Sequence, residues 1–185
     1  MRLKLTSPST KGSTTMSSAP PQSVNVRRVA EPAEWHAANQ LMGEYLQWLD
    51  NSLGSAIVRK AGIGHADRLG VEVSFASPNQ FYVARLDGEP IGFAGVRIDG
   101  SDAELTRLFV TNRGRGLGVS EKLVRAVIAG VRSAGCSYLR LETHRPTMPV
   151  AYDLYRRLGF EERRGGVHVD GAAAMVLPLR AASVP

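Results

Sequence analysis

The sequence of 185 residues has a single cysteine, Cys136, and no uninterrupted apolar run of the about 18–20 residues that would span a bilayer. One cysteine cannot form an internal disulfide, and neither a second cysteine nor a group of histidines offers the spacing of a zinc site. The N-terminus also lacks the apolar stretch of a secretory signal. We therefore expect no metal ion, no membrane association and a reducing, cytoplasmic location.

Acidic residues are fewer than basic ones, which gives a net charge of +6 and a pI of about 9.9. Half of this charge lies in residues 1–23, which are rich in Ser, Thr and Pro and contain no acid. That composition predicts a disordered tail, followed by one domain over residues 24–185. We expect no nucleic-acid partner, because no aromatic residues interleave with the Arg-rich runs; the basic charge alone would suit a nucleic acid or a small anion.

Apolar periodicity predicts strands and helices throughout residues 24–185. Strands are predicted at residues 24–29, 81–85, 90–96, 104–110, 138–143 and 174–179, with a hairpin turn at Asp87-Gly88. Amphipathic helices are predicted at residues 35–49, with their Trp and Tyr in the core, at 117–131 and at 150–158, and a mixed helix–loop region at 55–77. This order of elements predicts an α/β (α+β) fold with a mixed sheet. Cys136 is expected to be a small buried hydrophobe and His168 a hairpin residue.

A segment rich in Gly and Arg, residues 111–118, connects a predicted strand to the second amphipathic helix. The first N–H groups of a helix have no partner within it, and the helix dipole places partial positive charge there. Glycines let the backbone approach an anion closely, and Arg113 and Arg115 add positive charge. The segment is typical of a phosphate-binding turn, although glycines also serve tight turns between sheet and helix. Its spacing fits neither the dinucleotide fingerprint G-x-G-x-x-G nor a Walker A loop.

Arg115-Gly116-Leu117-Gly118-Val119-Ser120 resembles the loop R/Q-x-x-G-x-G/A of the GNAT superfamily of N-acetyltransferases. Residues 104–110 match the strand that precedes this loop in the family, and residues 139–143 match the strand that follows its helix. Residues 151–160 are similar to the family signature A-x-x-L-Y-x-x-x-G-F. A register that begins at Arg113 would also give R-x-x-G-x-G, but it breaks the spacing to the preceding strand.

The resemblance implies a mostly antiparallel central sheet, flanked by helices, in which a bulge at residues 108–110 splays two central strands apart. It implies transfer of an acetyl group from acetyl-coenzyme A directly to a primary amine, with a small-molecule acceptor favoured over a protein. The residues implied to contact the cofactor are Leu108, Phe109, Val110, Arg115, Gly116, Leu117, Gly118, Val119, Ser120, Thr143, Ala151 and Tyr155. Two positions depart from the family pattern: Ser120 replaces the usual Gly or Ala, and Met148 replaces the Asn of many relatives.

Three groups are implied to act at the thioester. The N–H of Val110 would polarise the carbonyl. Glu104 would accept a proton from the amine through water, since an amine with a pKa of about 10.4 must lose a proton before it attacks; the alternative is an exposed charge at a strand edge. Tyr155 would donate a proton or a hydrogen bond to the departing sulfur; the alternative is a packing residue.

A non-catalytic acyl-coenzyme A sensor or interaction module on the same fold is the alternative function, because a fold does not determine a function. Tyr155 and Glu104 favour the enzyme. The sequence leaves open the identity of the amine acceptor, the length of the acyl chain and the formation of a homodimer.

Overall fold

The computed structural model describes residues 23–53, 70–163 and 171–179. The strands in these ranges are β1 (Val24–Arg28), β2 (Gln80–Leu86), β3 (Glu89–Asp99), β4 (Asp102–Val110), β5 (Tyr138–His144), β6 (Glu161–Arg163) and β7 (Ala172–Pro178). The helices are α1 (Pro32–Leu53), α2 (Val71–Ser74), α3 (Val119–Ser133) and α4 (Pro149–Arg157), and a 3-10 turn spans Asn112–Gly114.

The strands form one seven-stranded sheet in the order β1-β2-β3-β4-β5-β7-β6. Every neighbouring pair is antiparallel except β4 and β5, which are parallel because α3 returns the chain to the end of the sheet where β4 begins. The hairpin of β2 and β3 turns at Asp87-Gly88, where both residues have a positive φ, as the sequence predicts. The mixed, mostly antiparallel sheet flanked by helices confirms the predicted fold class.

Two apolar clusters cover the two faces of the sheet. On one face, α3 buries a single stripe that consists of Val119, Leu123, Val124, Val127, Ile128 and Val131. This α3 cluster also includes Leu154 and Tyr155 of α4. On the other face, Leu41, Tyr45 and Leu49 of α1 pack against aromatic residues of the strands in a second cluster, the α1 cluster. The sheet is thus buried between α1 on one face and α3 with α4 on the other.

Some local predictions are corrected by the structure. Leu117 is predicted on the second long helix, but α3 begins at Val119, and Leu117 is 41% exposed in the loop before it. The strand Glu161–Arg163 is missed because three charged residues carry no apolar alternation. Cys136 is buried as predicted, and burial raises the pKa of its thiol.

The predicted disordered tail before residue 23, most of the helix–loop region and His168 lie outside the described residues. Among the residues that the structure describes, no helix is long and apolar enough to cross a membrane. The same ranges contain no group of three or more His, Cys, Asp or Glu side chains arranged to bind a metal ion.

Candidate active site

The parallel strands β4 and β5 are paired only where they begin. Residues 102–104 of β4 pair with residues 138–140 of β5, and no ladder joins the two strands beyond these positions. β4 nevertheless continues along β3 to Val110, and β5 continues along β7 to His144. The two central strands therefore separate toward their carboxyl ends and leave a gap, which is the predicted splay.

The bulge in β4 lies at Thr106 and not at residues 108–110, where it is expected from the family resemblance. Gly95 of β3 is opposite Arg107, but the next residue, Val96, is opposite Leu105. Thr106 is therefore the extra residue of the bulge. Its hydroxyl donates a hydrogen bond of 3.3 Å to the Gly95 carbonyl.

The bulge reverses the alternation of side chains along β4, because one extra residue exchanges the two faces of a strand. The residues that face the α3 cluster are Ala103 and Leu105 before the bulge and Leu108 and Val110 after it. Phe109 consequently faces α1, where its ring centroid lies 5.6 Å from that of Tyr45 and 6.2 Å from that of Trp48. An aromatic ring from β4 thus borders the gap on the α1 face.

The backbone N–H of Val110 points into the gap. The N–H of the next residue, Thr111, donates a 2.9 Å hydrogen bond to the Ile91 carbonyl on the β3 side. Successive N–H groups of a strand point to opposite sides, so the Val110 N–H faces β5. No ladder reaches it there, since the pairing of β4 with β5 ends at Glu104. A ligand in the gap could accept a hydrogen bond from this N–H.

The loop after β4 leads to a helix N-terminus without a side-chain cap. Gly118 is the N-cap of α3, with a φ of 69°, and no side chain in the described part of the chain bonds to this helix end. The N–H of Lys122 donates to the Gly118 carbonyl at 3.1 Å, which makes it the first intrahelical donor of α3. The N–H groups of Val119, Ser120 and Glu121 precede it and point out of the helix end, where the helix dipole favours an anion.

Open space lies in front of this helix end. A Cβ atom added at Gly116 or Gly118 would meet no atom of the other described residues within 4 Å. Gly114 differs, because it is buried and an added Cβ would lie 2.7 Å from Cγ1 of Val110. Close packing at Gly114 therefore fixes the loop against β4, while its later residues remain exposed, Arg115 among them. The loop combines open space, positive charge and free N–H groups in one place.

Tyr155 is buried in α4, with only 6% of its surface exposed. Its ring packs edge-on against Phe160 at a centroid distance of 5.6 Å. Burial, with a smaller contribution from the phenol of Tyr45, raises the pKa of Tyr155 well above its ordinary value. The Tyr155 hydroxyl is consequently a proton-bearing donor at any physiological pH.

Glu104 is exposed at the last paired position of β4 before the gap. Its neighbours in register are Arg97 of β3 and Arg140 of β5. Arg140 lies 3.9 Å from the carboxylate of Asp102, at the edge of ion-pair distance. Glu104 is therefore a solvated carboxylate between two arginines, on the opposite face of β4 from Leu105.

Two further residues implied by the resemblance lie across the gap from β4. Thr143 of β5 is 6% exposed, and its Oγ1 has no hydrogen-bond partner among the described residues. A buried hydroxyl without a partner is costly, and it marks a place where a ligand or water would be bound. Ala151 lies in the first turn of α4, partly buried against the α3 cluster. Met148, the N-cap of α4, makes no side-chain capping bond.

A pocket of about 260 Å³ lies between α1 and the end of β4. The sequence analysis does not predict this pocket. Its α1 wall consists of Glu44, Gln47, Trp48 and Asn51, which are spaced along one face of the helix. Residues 109–112 form the other wall, where Oγ1 of Thr111 is buried with no hydrogen-bond partner in the described part of the chain. The apolar stripe predicted for this helix includes Trp35 and Tyr45 but not Trp48. The polar residues beside Trp48 at helical spacing are the signal that indicates a pocket.

Residues 44–160, more than half of the chain, match the family model described as acetyltransferase (GNAT) family. The chain therefore belongs to the GNAT acetyltransferase family, and the resemblance in the loop and in the motif of α4 is confirmed at the level of the family.

Known proteins agree with this assignment. An uncharacterized N-acetyltransferase of Methanocaldococcus jannaschii is 32% identical over 88 residues, which is 47% of this chain and 56% of that protein, so the match spans about half of the relative's length. Among solved structures, a GNAT-family acetyltransferase of Staphylococcus aureus Mu50 aligns with a TM-score of 0.67 at 20% identity, covering 85% of this chain and all of that one. The PaiA N-acetyltransferase of Thermoplasma acidophilum, solved in complex with coenzyme A, aligns with a TM-score of 0.67 at 19% identity, and the alignment covers 84% of this chain and 99% of that one.

Proposed function

We propose that the protein transfers an acetyl group from acetyl-coenzyme A directly to the primary amine of a small molecule. The observation that carries this proposal is the Val110 N–H, which faces the gap between β4 and β5. The uncapped N-terminus of α3 follows one loop later. The chain thus offers a hydrogen-bond donor to an acyl carbonyl and an anion site to the phosphates of the same donor molecule.

The residues present fit coenzyme A. The open space at Gly116 and Gly118 admits a phosphate group that would contact the backbone. The hydroxyl of Thr143, which has no partner within the described ranges, offers a polar contact to the pantetheine arm. We assign the pyrophosphate to Arg115, Gly116, Leu117, Gly118, Val119 and Ser120, and the pantetheine arm to Leu108, Phe109, Val110, Thr143, Ala151 and Tyr155. The PaiA protein, which shares the fold, is solved in complex with coenzyme A, and this supports coenzyme A as the ligand.

Acetyl-coenzyme A supplies an activated acyl group. The amine nitrogen attacks the thioester carbonyl carbon, the carbon–sulfur bond breaks, and the thiolate leaves with the bonding electron pair. The Val110 N–H stabilises the negative charge that develops on the carbonyl oxygen, as oxyanion donors do. Holding the amine beside the thioester supplies the entropic part of the rate acceleration, and no covalent intermediate with the protein is required.

Glu104 is our candidate for the general base. It is solvated and stands where the gap begins, so a water molecule could connect its carboxylate to an amine at the thioester.

Tyr155 is our candidate for the group that meets the departing sulfur. Because burial raises the pKa of its phenol, the transfer of a full proton to a thiolate with an ordinary pKa of about 8.5 is strongly uphill. Tyr155 therefore acts as a hydrogen-bond donor to the developing thiolate and keeps its proton. Coenzyme A then leaves as a thiolate that takes up a proton from solvent according to the pH.

The test is the release of free thiol from acetyl-coenzyme A by the purified full chain, supplied in turn with members of a panel of primary amines. Mass spectrometry should show one acetyl group added to the accepted amine. A melting temperature that rises with acetyl-coenzyme A, without thiol release for any amine, would instead establish the non-catalytic sensor. No melting shift and no thiol release would exclude both functions.

A further inference from the structure

The pocket between α1 and β4 is acidic, although the chain as a whole is basic. Glu44 is the charged residue among those that line the pocket, and the remaining polar residues there are neutral. Glu44 is exposed and forms no ion pair with another described residue. The cationic side chains of Arg113 and Arg115 lie farther along, on the loop that leads to α3. Neither arginine is among the residues that line the pocket.

The pocket is also aromatic. Trp48 and Phe109 line opposite walls, with ring centroids 6.2 Å apart and ring planes at 43° to each other. Tyr45 supports both rings from the core, 5.6 Å from Phe109 and 6.2 Å from Trp48. Aromatic faces beside a carboxylate are the combination that binds an organic ammonium group, because the ring quadrupole and the carboxylate both attract a cation. A simple apolar group would gain nothing from Glu44.

The pocket adjoins the proposed reaction centre. Val110, whose N–H faces the gap, is also one of the lining residues. Thr111 follows it, and its buried Oγ1 has no hydrogen-bond partner among the residues that the structure describes. An amine that attacks in the gap must be uncharged, so the amine that reacts cannot be the ammonium group held beside Glu44. One acceptor molecule could supply both groups only if it carried two amines.

We propose that the pocket selects acceptors with a second, positively charged amine, so that the substrate class is a diamine or a longer polyamine. Glu44 supplies the charge, Trp48 and Phe109 supply the aromatic faces, and Thr111 Oγ1 accepts a hydrogen bond from the ammonium group. The preference for diamines in kcat/KM rests on the proposed acetyl transfer. The binding of a diamine to the pocket does not.

The kinetic experiment compares α,ω-diaminoalkanes of three to eight carbons with monoamines of the same length, as acceptors in the thiol-release assay. The wild-type protein should prefer one diamine over the matched monoamine by about tenfold or more in kcat/KM. Glu44→Gln should remove most of this preference through a higher KM for the diamine, with the monoamine unaffected. Asp50→Asn is the matched control, because it removes an exposed carboxylate from the same helix outside the pocket.

A second readout does not require turnover. The sequence has two tryptophans, so a Trp35→Phe variant reports Trp48 alone by fluorescence. Titration with the best diamine should change the Trp48 emission, and Glu44→Gln in that background should weaken binding by about tenfold. Asp50→Asn should leave the titration unchanged.

The two readouts separate the two proposals. Diamine binding that depends on Glu44 but is accompanied by no thiol release would support the pocket and contradict the acetyl transfer. Thiol release with equal kcat/KM for diamines and monoamines, or an equal loss for both in Glu44→Gln, would overturn the pocket and leave the transfer intact. An unchanged Trp48 emission at saturating diamine would also overturn it.

Discussion

The phenol of Tyr155 has one proposed task, and substitution by phenylalanine isolates it. Tyr155→Phe retains the ring and its contact with Phe160 but removes the hydroxyl. If the hydroxyl meets the sulfur mainly in the transition state, kcat and kcat/KM should both fall by roughly ten- to a hundredfold, which corresponds to about 1–3 kcal/mol. The melting shift with acetyl-coenzyme A should stay unchanged.

A tyrosine on the same helix provides the control. The Tyr152 hydroxyl donates a 2.8 Å hydrogen bond to Glu162 on the surface, so Tyr152→Phe also removes a hydroxyl from α4. Turnover should remain at the wild-type level in that variant. If Tyr155→Phe also retained wild-type turnover, Tyr155 would be a packing residue.

The raised pKa of Tyr155 also predicts how stability depends on alkaline pH. The folded pKa lies above the unfolded value of about 10, so the unfolded state releases a proton above pH 10 that the folded state retains. The stabilising contribution is complete below pH 10 and is lost as pH rises, at up to about 1.4 kcal/mol per pH unit. The free energy of unfolding, measured with denaturant between pH 9.5 and 11, should fall less steeply with pH for Tyr155→Phe than for the wild type. For Tyr138→Phe, which changes an exposed tyrosine, it should fall as steeply as for the wild type.

The substitution Glu104→Gln tests whether Glu104 is the general base of the reaction or only an exposed charge at the surface. A base matters most when the amine is protonated, so the loss of turnover should be largest near pH 7 and should shrink toward pH 10. Asp99→Asn, which neutralises an exposed carboxylate on β3, should have no such pH profile. A loss of equal size at every pH would assign Glu104 to positioning, and no loss would identify it as a strand-edge charge.

At the scale of secondary-structure elements, the loop before α3 can be tested with two glycines of similar geometry. Gly118 and Gly100 have φ values of 69° and 57°, and a Cβ at either would meet no atom within 4 Å. Leucine at either position should therefore impose a similar backbone strain. Gly118→Leu should abolish the melting shift caused by acetyl-coenzyme A, because the side chain fills the space for a phosphate, while Gly100→Leu should retain it. If Gly118→Leu retained the melting shift caused by acetyl-coenzyme A, the assignment of the phosphates to this helix end would be wrong.

The helices, strands and loops differ in how well the sequence alone predicts them. The long helices α1, α3 and α4 and most strands follow from apolar periodicity, and the loop before α3 follows from its glycines and arginines, since these signals are local. The bulge at Thr106 does not follow, because it depends on how β3 pairs with β4 and on a distant contact. A Cβ at Gly95 would lie 2.5 Å from the Phe75 ring, which packs there directly after α2. The pocket is missed for the same reason, since its second wall comes from another part of the chain.

At the scale of the whole molecule, two truncations test where the domain begins. Removal of residues 1–23 should leave melting temperature and thiol release nearly unchanged, because a Ser/Thr/Pro-rich segment has little apolar surface to bury. Removal of residues 1–28 also deletes β1, whose five residues pair with β2, and Val24 and Val26 pack against the α3 cluster. Only this longer truncation should lower the melting temperature, by several degrees or more. A large drop for the shorter truncation would show that the tail packs on the domain.

The short ladder between β4 and β5 has a consequence for the sheet itself. In the described residues, the strand ladder that joins a four-stranded half of the sheet, β1 to β4, to a three-stranded half, β5 to β7, consists of three residue pairs. Each half therefore presents an internal edge whose backbone groups must bond to water in the free protein. An extended, amide-bearing molecule in the gap would bond to both edges as an additional strand does, and would join the two halves into one continuous hydrogen-bonded sheet. The acyl donor would thereby act as a structural member of the fold for as long as it is bound.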